Sequence, residues 1–131
     1  MSIRRCLLVV LCVAVCAVGL GGCFLFPNRP PVAAFVPHYN VVPGDPMVVD
    51  LNASISTDPD GDAIVQYQWA FSDDLTIVQP LAHSTTVDHP ILRVRCPTEG
   101  TYSVVLVVID ERGLASEPFT GVTITVPQPL P

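Results

Sequence analysis

Thr101-Tyr102-Ser103-Val104-Val105-Leu106-Val107-Val108-Ile109 decides the fold. The run holds no glycine or proline, and its β-branched, aromatic and aliphatic side chains suit a pleated, half-buried surface. Side chains alternate between faces along a strand. Tyr102, Val104, Leu106 and Val108 therefore form the expected inward face, and Ser103, Val105, Val107 and Ile109 the opposite one. A strand that is apolar on both sides is expected where both faces are covered.

Shorter runs flank it on both sides. Upstream are Ile91–Arg95, Leu75–Val78, Ile64–Phe71, Met47–Leu51 and Val32–Val36, and Val122–Val126 closes the series. In Ile64–Phe71 the alternation sets Val65, Tyr67, Trp69 and Phe71 on one face against Gln66, Gln68 and Ala70. Turn clusters separate the runs, among them Val42-Pro43-Gly44-Asp45 and the Ser/Asp/Pro/Gly-rich loop Ser54–Asp62. About seven short strands with turn signals every ten residues or so predict an all-β fold. The arrangement expected is an immunoglobulin-like two-sheet sandwich over residues 32–127, followed by a short tail, 128–131.

The N-terminus reads differently. Arg4 and Arg5 precede an unbroken apolar stretch, Leu7–Val18, which ends at Gly19-Leu20-Gly21-Gly22-Cys23. A basic start, a short apolar run and small residues at its end are the parts of an export signal. Leu20-Gly21-Gly22-Cys23 resembles the lipobox of bacterial lipoproteins, which implies that residues 1–22 are removed and Cys23 is acylated. The expected protein is exported and anchored in a lipid bilayer through Cys23. Phe24 after the cysteine, where aspartate would favour the inner membrane, implies the outer membrane if the organism has one. The alternative is a retained apolar helix over Leu7–Phe26, just long enough to span. Eight residues, 24–31, separate Cys23 from Val32 and reach at most roughly 28 Å, so the domain is expected close to its membrane.

Charge narrows the partners. The chain has six arginines, no lysine and twelve acids, a net of −6; without Arg4 and Arg5, four arginines face twelve acids and the net becomes −8. Phosphate neutralisation supplies most of the affinity for nucleic acid, so that partner is excluded. A protein or glycan of the envelope is expected instead. Of five cysteines only Cys96 lies beyond Cys23, and one thiol forms no internal disulfide.

Three ordered motifs carry a family resemblance. Ser56-Thr57-Asp58-Pro59-Asp60-Gly61-Asp62-Ala63-Ile64, then Tyr67-Gln68-Trp69-Ala70-Phe71, then Gly100-Thr101-Tyr102 through Asp110 resemble a polycystic kidney disease (PKD) domain. Asn28-Arg29-Pro30-Pro31-Val32-Ala33 and Gly113-Leu114-Ala115-Ser116 extend the likeness. Two departures stand out. Trp69-Ala70-Phe71-Ser72-Asp73-Asp74 lacks the family's tight glycine turn, and Cys96 occupies a position where the family has an inward aromatic, which implies a buried, inert thiol.

Asp58, Asp60 and Asp62 place three carboxylates within five residues, a donor set that suits a hard cation such as Ca²⁺. The alternative is a solvated turn in which they cap backbone N–H groups. The resemblance adds Asp110 and Asn28 as further Ca²⁺ ligands; no cofactor is otherwise required. Val105, Val107 and Ile109, bordered by Gln66, Gln68, Thr123 and Thr125, are expected to form an apolar contact stripe, unless they reflect β-propensity alone. His38, His83 and His89 are scattered without metal or triad spacing, and no G-x-S-x-G, HExxH or glycine-rich phosphate-loop motif is present. No catalytic residues are expected. The readings that follow are a membrane-anchored interaction module, a Ca²⁺-stiffened structural accessory subunit of an envelope assembly, or a carbohydrate-binding protein.

Overall fold

The structure, a computed structural model, describes residues 26–71, 75–79 and 85–127. Residues 1–22, Cys23, the loop 72–74, His83 and the tail 128–131 lie outside the described residues. Among those described, no helix is long and apolar enough to cross a membrane.

Eight strands form two antiparallel sheets. They are β1 (Val36–His38), β2 (Val48–Asn52), β3 (Ile64–Phe71), β4 (Thr76–Gln79), β5 (Thr86–Val87), β6 (Ile91–Arg95), β7 (Gly100–Asp110) and β8 (Thr123–Val126). One sheet runs β1-β2-β6-β4 and the other β5-β3-β7-β8. The sandwich is the one expected, with one more strand.

β7 holds the centre. Tyr102, Val104, Leu106 and Val108 are all buried, and across the ladder Leu106 lies opposite Trp69 and Val108 opposite Tyr67. Val49, Leu51, Leu92 and Val94 of the other sheet complete the same core. Phe35 meets Trp69 and Phe119 edge-to-face, with ring centroids 5.2 and 5.6 Å apart, the geometry aromatic quadrupoles favour. The Tyr102 hydroxyl donates to the Thr98 carbonyl at 2.6 Å, a tyrosine tie to upstream backbone typical of such sandwiches. Cys96 is buried in the core, as the resemblance implied.

Three expectations need correction. The first strand is not Val32–Val36: Val32 makes one isolated bridge to Thr57, and pairing starts at Val36. The reason is Ser56, whose hydroxyl accepts from the Ala34 amide at 3.0 Å and donates to its carbonyl at 2.9 Å, replacing a strand partner. Pro37 within β1 is tolerated because β1 is a sheet edge. Val65 does not share the inward face of Tyr67 and Trp69. A register irregularity between Ile64 and Gln66 turns Val65 out, 45% exposed, and lets Ile64 pack on the core instead. β5 was not expected at all; the Trp69 amide donates to Thr85, and Thr86 and Val87 pair with Gln68 and Tyr67.

Candidate functional site

The loop between β2 and β3 ends in an acidic turn built on Asp58. Its Oδ1 accepts from the amides of Asp60 at 2.8 Å and Asp62 at 3.2 Å, and its carbonyl accepts from Gly61. Gly61 has φ +81°, a left-handed conformation that glycine adopts without strain. The turn thus brings one oxygen each of Asp58, Asp60 and Asp62 within 4.8 Å of one another.

The three carboxylates differ in what surrounds them. Asp60 is taken up by Arg29: its Oδ2 accepts the Arg29 amide at 2.6 Å and its Oδ1 the Nε at 2.8 Å. These hydrogen bonds hold its carboxyl below the usual carboxylate range. Asp62 has only an ion pair, with Arg112 Nε 3.1 Å from its Oδ2, an approach that makes no hydrogen bond. Burial pushes its carboxyl up despite Arg112, and the charges of Asp58, Glu111 and Asp110 add to the rise. Asp58 spends Oδ1 on the turn, while its Oδ2 is buried without a partner.

Asp110 and Asn28 join this pole from other elements. Asp110 continues the inward face of β7 and is buried at its end, where Ile64 pairs with it. Its Oδ1 accepts from the amides of Arg112 and Leu114 at 2.9 and 2.8 Å, and its Oδ2 from Asn28 Nδ2 at 2.8 Å. Burial alone would raise its carboxyl; those donors outweigh it and leave the group below the usual range. Asn28, oriented by Asp110, presents a buried Oδ1 that has no partner. Three buried oxygens that accept no hydrogen bond, Asn28 Oδ1, Asp58 Oδ2 and Asp62 Oδ2, therefore belong to the five residues proposed from the sequence. Arg29 and Arg112 were not foreseen as part of this pole. Their signal was weak: two of the few arginines sit beside Asn28 and just after Asp110.

The second expected site lies on the outward face of the β5-β3-β7-β8 sheet. Val105, Val107 and Ile109 line up there but are half-buried. Register sets Ala70 beside Val105, Gln68 beside Val107 and Gln66 beside Ile109, with Gln68 Nε2 donating to Gln66 Oε1. Thr123 and Thr125 do not border the stripe. They face Ser103 and Thr101, because β8 pairs only with the start of β7. The far flank is the segment that bridges Ala115 to Ile109 and Phe119 to Leu106.

A shallow groove of about 320 Å³ runs between Pro30–Ala33 and Glu117–Phe119. Glu117 is its one titratable side chain, so it offers no acid–base pair. His38 and His89 lie in β1 and in the turn before β6, and among the described residues neither belongs to a cluster that could hold a metal.

Comparison with known proteins agrees with this architecture. The family profile of the PKD domain matches residues 28–126. The PKD1 domain of Vibrio anguillarum Epp superposes with a TM-score of 0.55 at 24% identity, covering 79% of this chain and all of that one. The PKD1 domain of the Vibrio cholerae metalloprotease PrtV gives 0.52 at 27% identity, over 76% of this chain and all of that one. A structure described for the promiscuous specificity of carbohydrate-binding modules of the β-sandwich superfamily gives 0.55 at 32% identity. That match covers 76% of this chain and 35% of the other. No curated protein sequence matches the chain significantly.

Proposed function

Because the chain belongs to the PKD-domain family over residues 28–126, we propose that it is an exported lipoprotein whose sandwich acts as a non-catalytic binding module beside a membrane. The reading rests on the order of parts: a basic start, an apolar run, the lipobox-like Leu20–Cys23, and then the domain almost at once. The observation that carries it is where the domain begins. Asn28 and Arg29 are already fastened to Asp110 and Asp60, which leaves four residues, 24–27, between Cys23 and the fastened chain. From Cys23 to Asn28 that reaches at most about 17 Å. Phe26, 83% exposed, is not drawn into the core, which suits a residue resting at a lipid interface.

A protein partner is favoured over a glycan. Tyr67 and Trp69 are buried, and Phe26 is the one aromatic among the exposed large side chains of the described residues. A sugar platform needs exposed rings; the likeness to carbohydrate-binding modules keeps the glycan as the competing outcome. Labelling cells with an acyl-chain probe tests the anchor. The wild-type chain takes up label and fractionates with membranes, and Cys23→Ala does neither; unchanged labelling of that variant would refute the reading. Pull-down from solubilised envelope against binding to isolated polysaccharide then separates the two partner classes.

A second reading, a Ca²⁺-stiffened accessory subunit, is favoured by the three buried oxygens that accept no hydrogen bond. Ca²⁺ takes six to eight oxygen ligands. Asn28, Asp58 and Asp62 would hold it, with Asp60 at the rim and Asp110 keeping Asn28 in place. When bound, the ion neutralises the carboxylates and ties the segment leading into the domain to the acidic turn. Calorimetry and melting of the full chain with Ca²⁺ or chelator decide this; no heat and no shift end it.

A further inference from the structure

Among the described residues, the paired positions on the outward face of the β5-β3-β7-β8 sheet carry no charge. Its register rows are Thr101 with Thr125, Ser103 with Thr123, and then the three rows headed by Val105, Val107 and Ile109. Every side chain in them is Thr, Ser, Gln, Ala, Val or Ile. The opposite sheet differs: its outward face holds the Asp50–Arg93 pair, and Arg95 there pairs with Asp45. Among the described residues, charges return where these strands end, at Asp88 after β5, Glu99 before β7 and Glu111 and Arg112 after it, and at Glu117 in the segment flanking β7.

In a chain of net −6 this distribution selects an occupant. Two identical acidic bodies repel wherever acidic surface meets acidic surface, and like charges brought together cost several kcal/mol. Of the two sheet faces, this is the one on which a copy meets its twin without charged side chains in the paired rows. It is also self-complementary in polar groups. The Gln66–Gln68 pair and the Thr101–Thr125 hydroxyl pair at 3.0 Å each offer both donors and acceptors to a copy of themselves. A two-fold contact requires a patch of that kind, since it must match itself. A charged partner would call for charge here, and a sugar for exposed rings.

We propose that this face is the site at which two copies of the chain associate, sheet against sheet, with Val105, Val107 and Ile109 at the centre. Nine residues of β7 at ~3.3 Å and a width of three strand spacings at ~4.8 Å give roughly 400 Å² per copy. Two such faces bury on the order of 800 Å², the range of weak, reversible contacts. The pairing names the partner for the membrane-module reading and rests on it for its strength, because anchoring raises the local concentration.

Sedimentation of the full chain in density-matched detergent tests the pairing independently of lipidation. Wild type should show a reversible, concentration-dependent dimer. Val107→Lys and Val107→Asp should each weaken it roughly tenfold or more, and an equimolar mixture should regain it, because lysine then meets aspartate across the axis. Gln68→Lys and Gln68→Glu, in the same row, repeat the experiment should either Val107 variant fail to melt cooperatively. Wild type that stays monomeric, weakening by one sign of charge alone, or a mixture that does not recover would each overturn the proposal and assign the face to a different molecule. Cys23 labelling fails or succeeds separately, so loss of the anchor is not mistaken for loss of the dimer.

Discussion

Asp62 shows what the acidic pole demands of one residue. Its carboxylate is held charged against burial and three neighbouring acids, with a single ion pair to offset them. A carboxyl raised in this way favours its protonated form in the folded state, so the charge at neutral pH works against folding. Asp62→Asn should therefore melt at or above wild type in chelator, while losing any upward shift that Ca²⁺ gives. Thermal melts of both chains with and without the ion check this, and a lower melting point in chelator would mean the Arg112 pair outweighs the repulsion. Cys96 is the second instructive residue. Burial pushes its thiol up to about 11 from an ordinary 9.0. The folded state therefore holds a proton that the unfolded state releases between these values, and stability should fall as pH rises from 9 to 11. Cys96→Ala should lose that part of the decline. At pH 8.5, alkylation followed by mass spectrometry should leave the Cys96 peptide unmodified until denaturant is added, because the neutral, buried thiol is a poor nucleophile.

Among the elements, β7 and β3 do the most for the core, and they show where the amino-acid order is enough. Leu106→Ala, at a fully buried position, should cost about 2–5 kcal/mol in denaturant unfolding. Val65→Thr, on a residue turned outward by the irregularity, should stay within about 0.5 kcal/mol. Along β7 the period-two pattern translates directly into burial, because every inward residue meets another strand's inward residue. The irregularity at Val65 was not legible, since it depends on how Ile64 and Gln66 register with Asp110 and Ile109, a relation no local pattern encodes. β5 is two residues long and exists because β3 offers it a partner. Residues 32–35 look like a strand, yet Val32 bonds Thr57 alone and Ala34 is satisfied by a serine hydroxyl 22 positions away. The candidate site divides in the same way. Three aspartates were visible from spacing, and Asn28 and Asp110 from family likeness. Arg29 and Arg112 were not, because their partners lie far along the chain and nothing near either arginine announces them.

For the molecule as a whole, charge is lopsided in number and ordered in place. Each arginine of the described residues, Arg29, Arg93, Arg95 and Arg112, is held in an ion pair, so none of them is left to offset the surplus of acids. Arg93 grips Asp50 with two hydrogen bonds of 2.6 and 2.7 Å, geometry that resists screening better than a single exposed contact. Raising NaCl from about 20 to 150 mM, which shortens the screening length to about 8 Å, should raise the melting temperature, because repulsion among surplus acids is relieved more than four pairs are weakened. A fall would show that the pairs dominate. The fastening of Asn28 to Asp110 and of Arg29 to Asp60 and Pro59 carries a mechanical consequence. A load pulling on Phe26 reaches these side-chain contacts, and next the lone Val32–Thr57 bridge, before any strand of the sandwich is strained. The chain thus has a sacrificial clasp at the entry to the domain, which can give way under tension and release a few residues of slack while the two sheets stay closed.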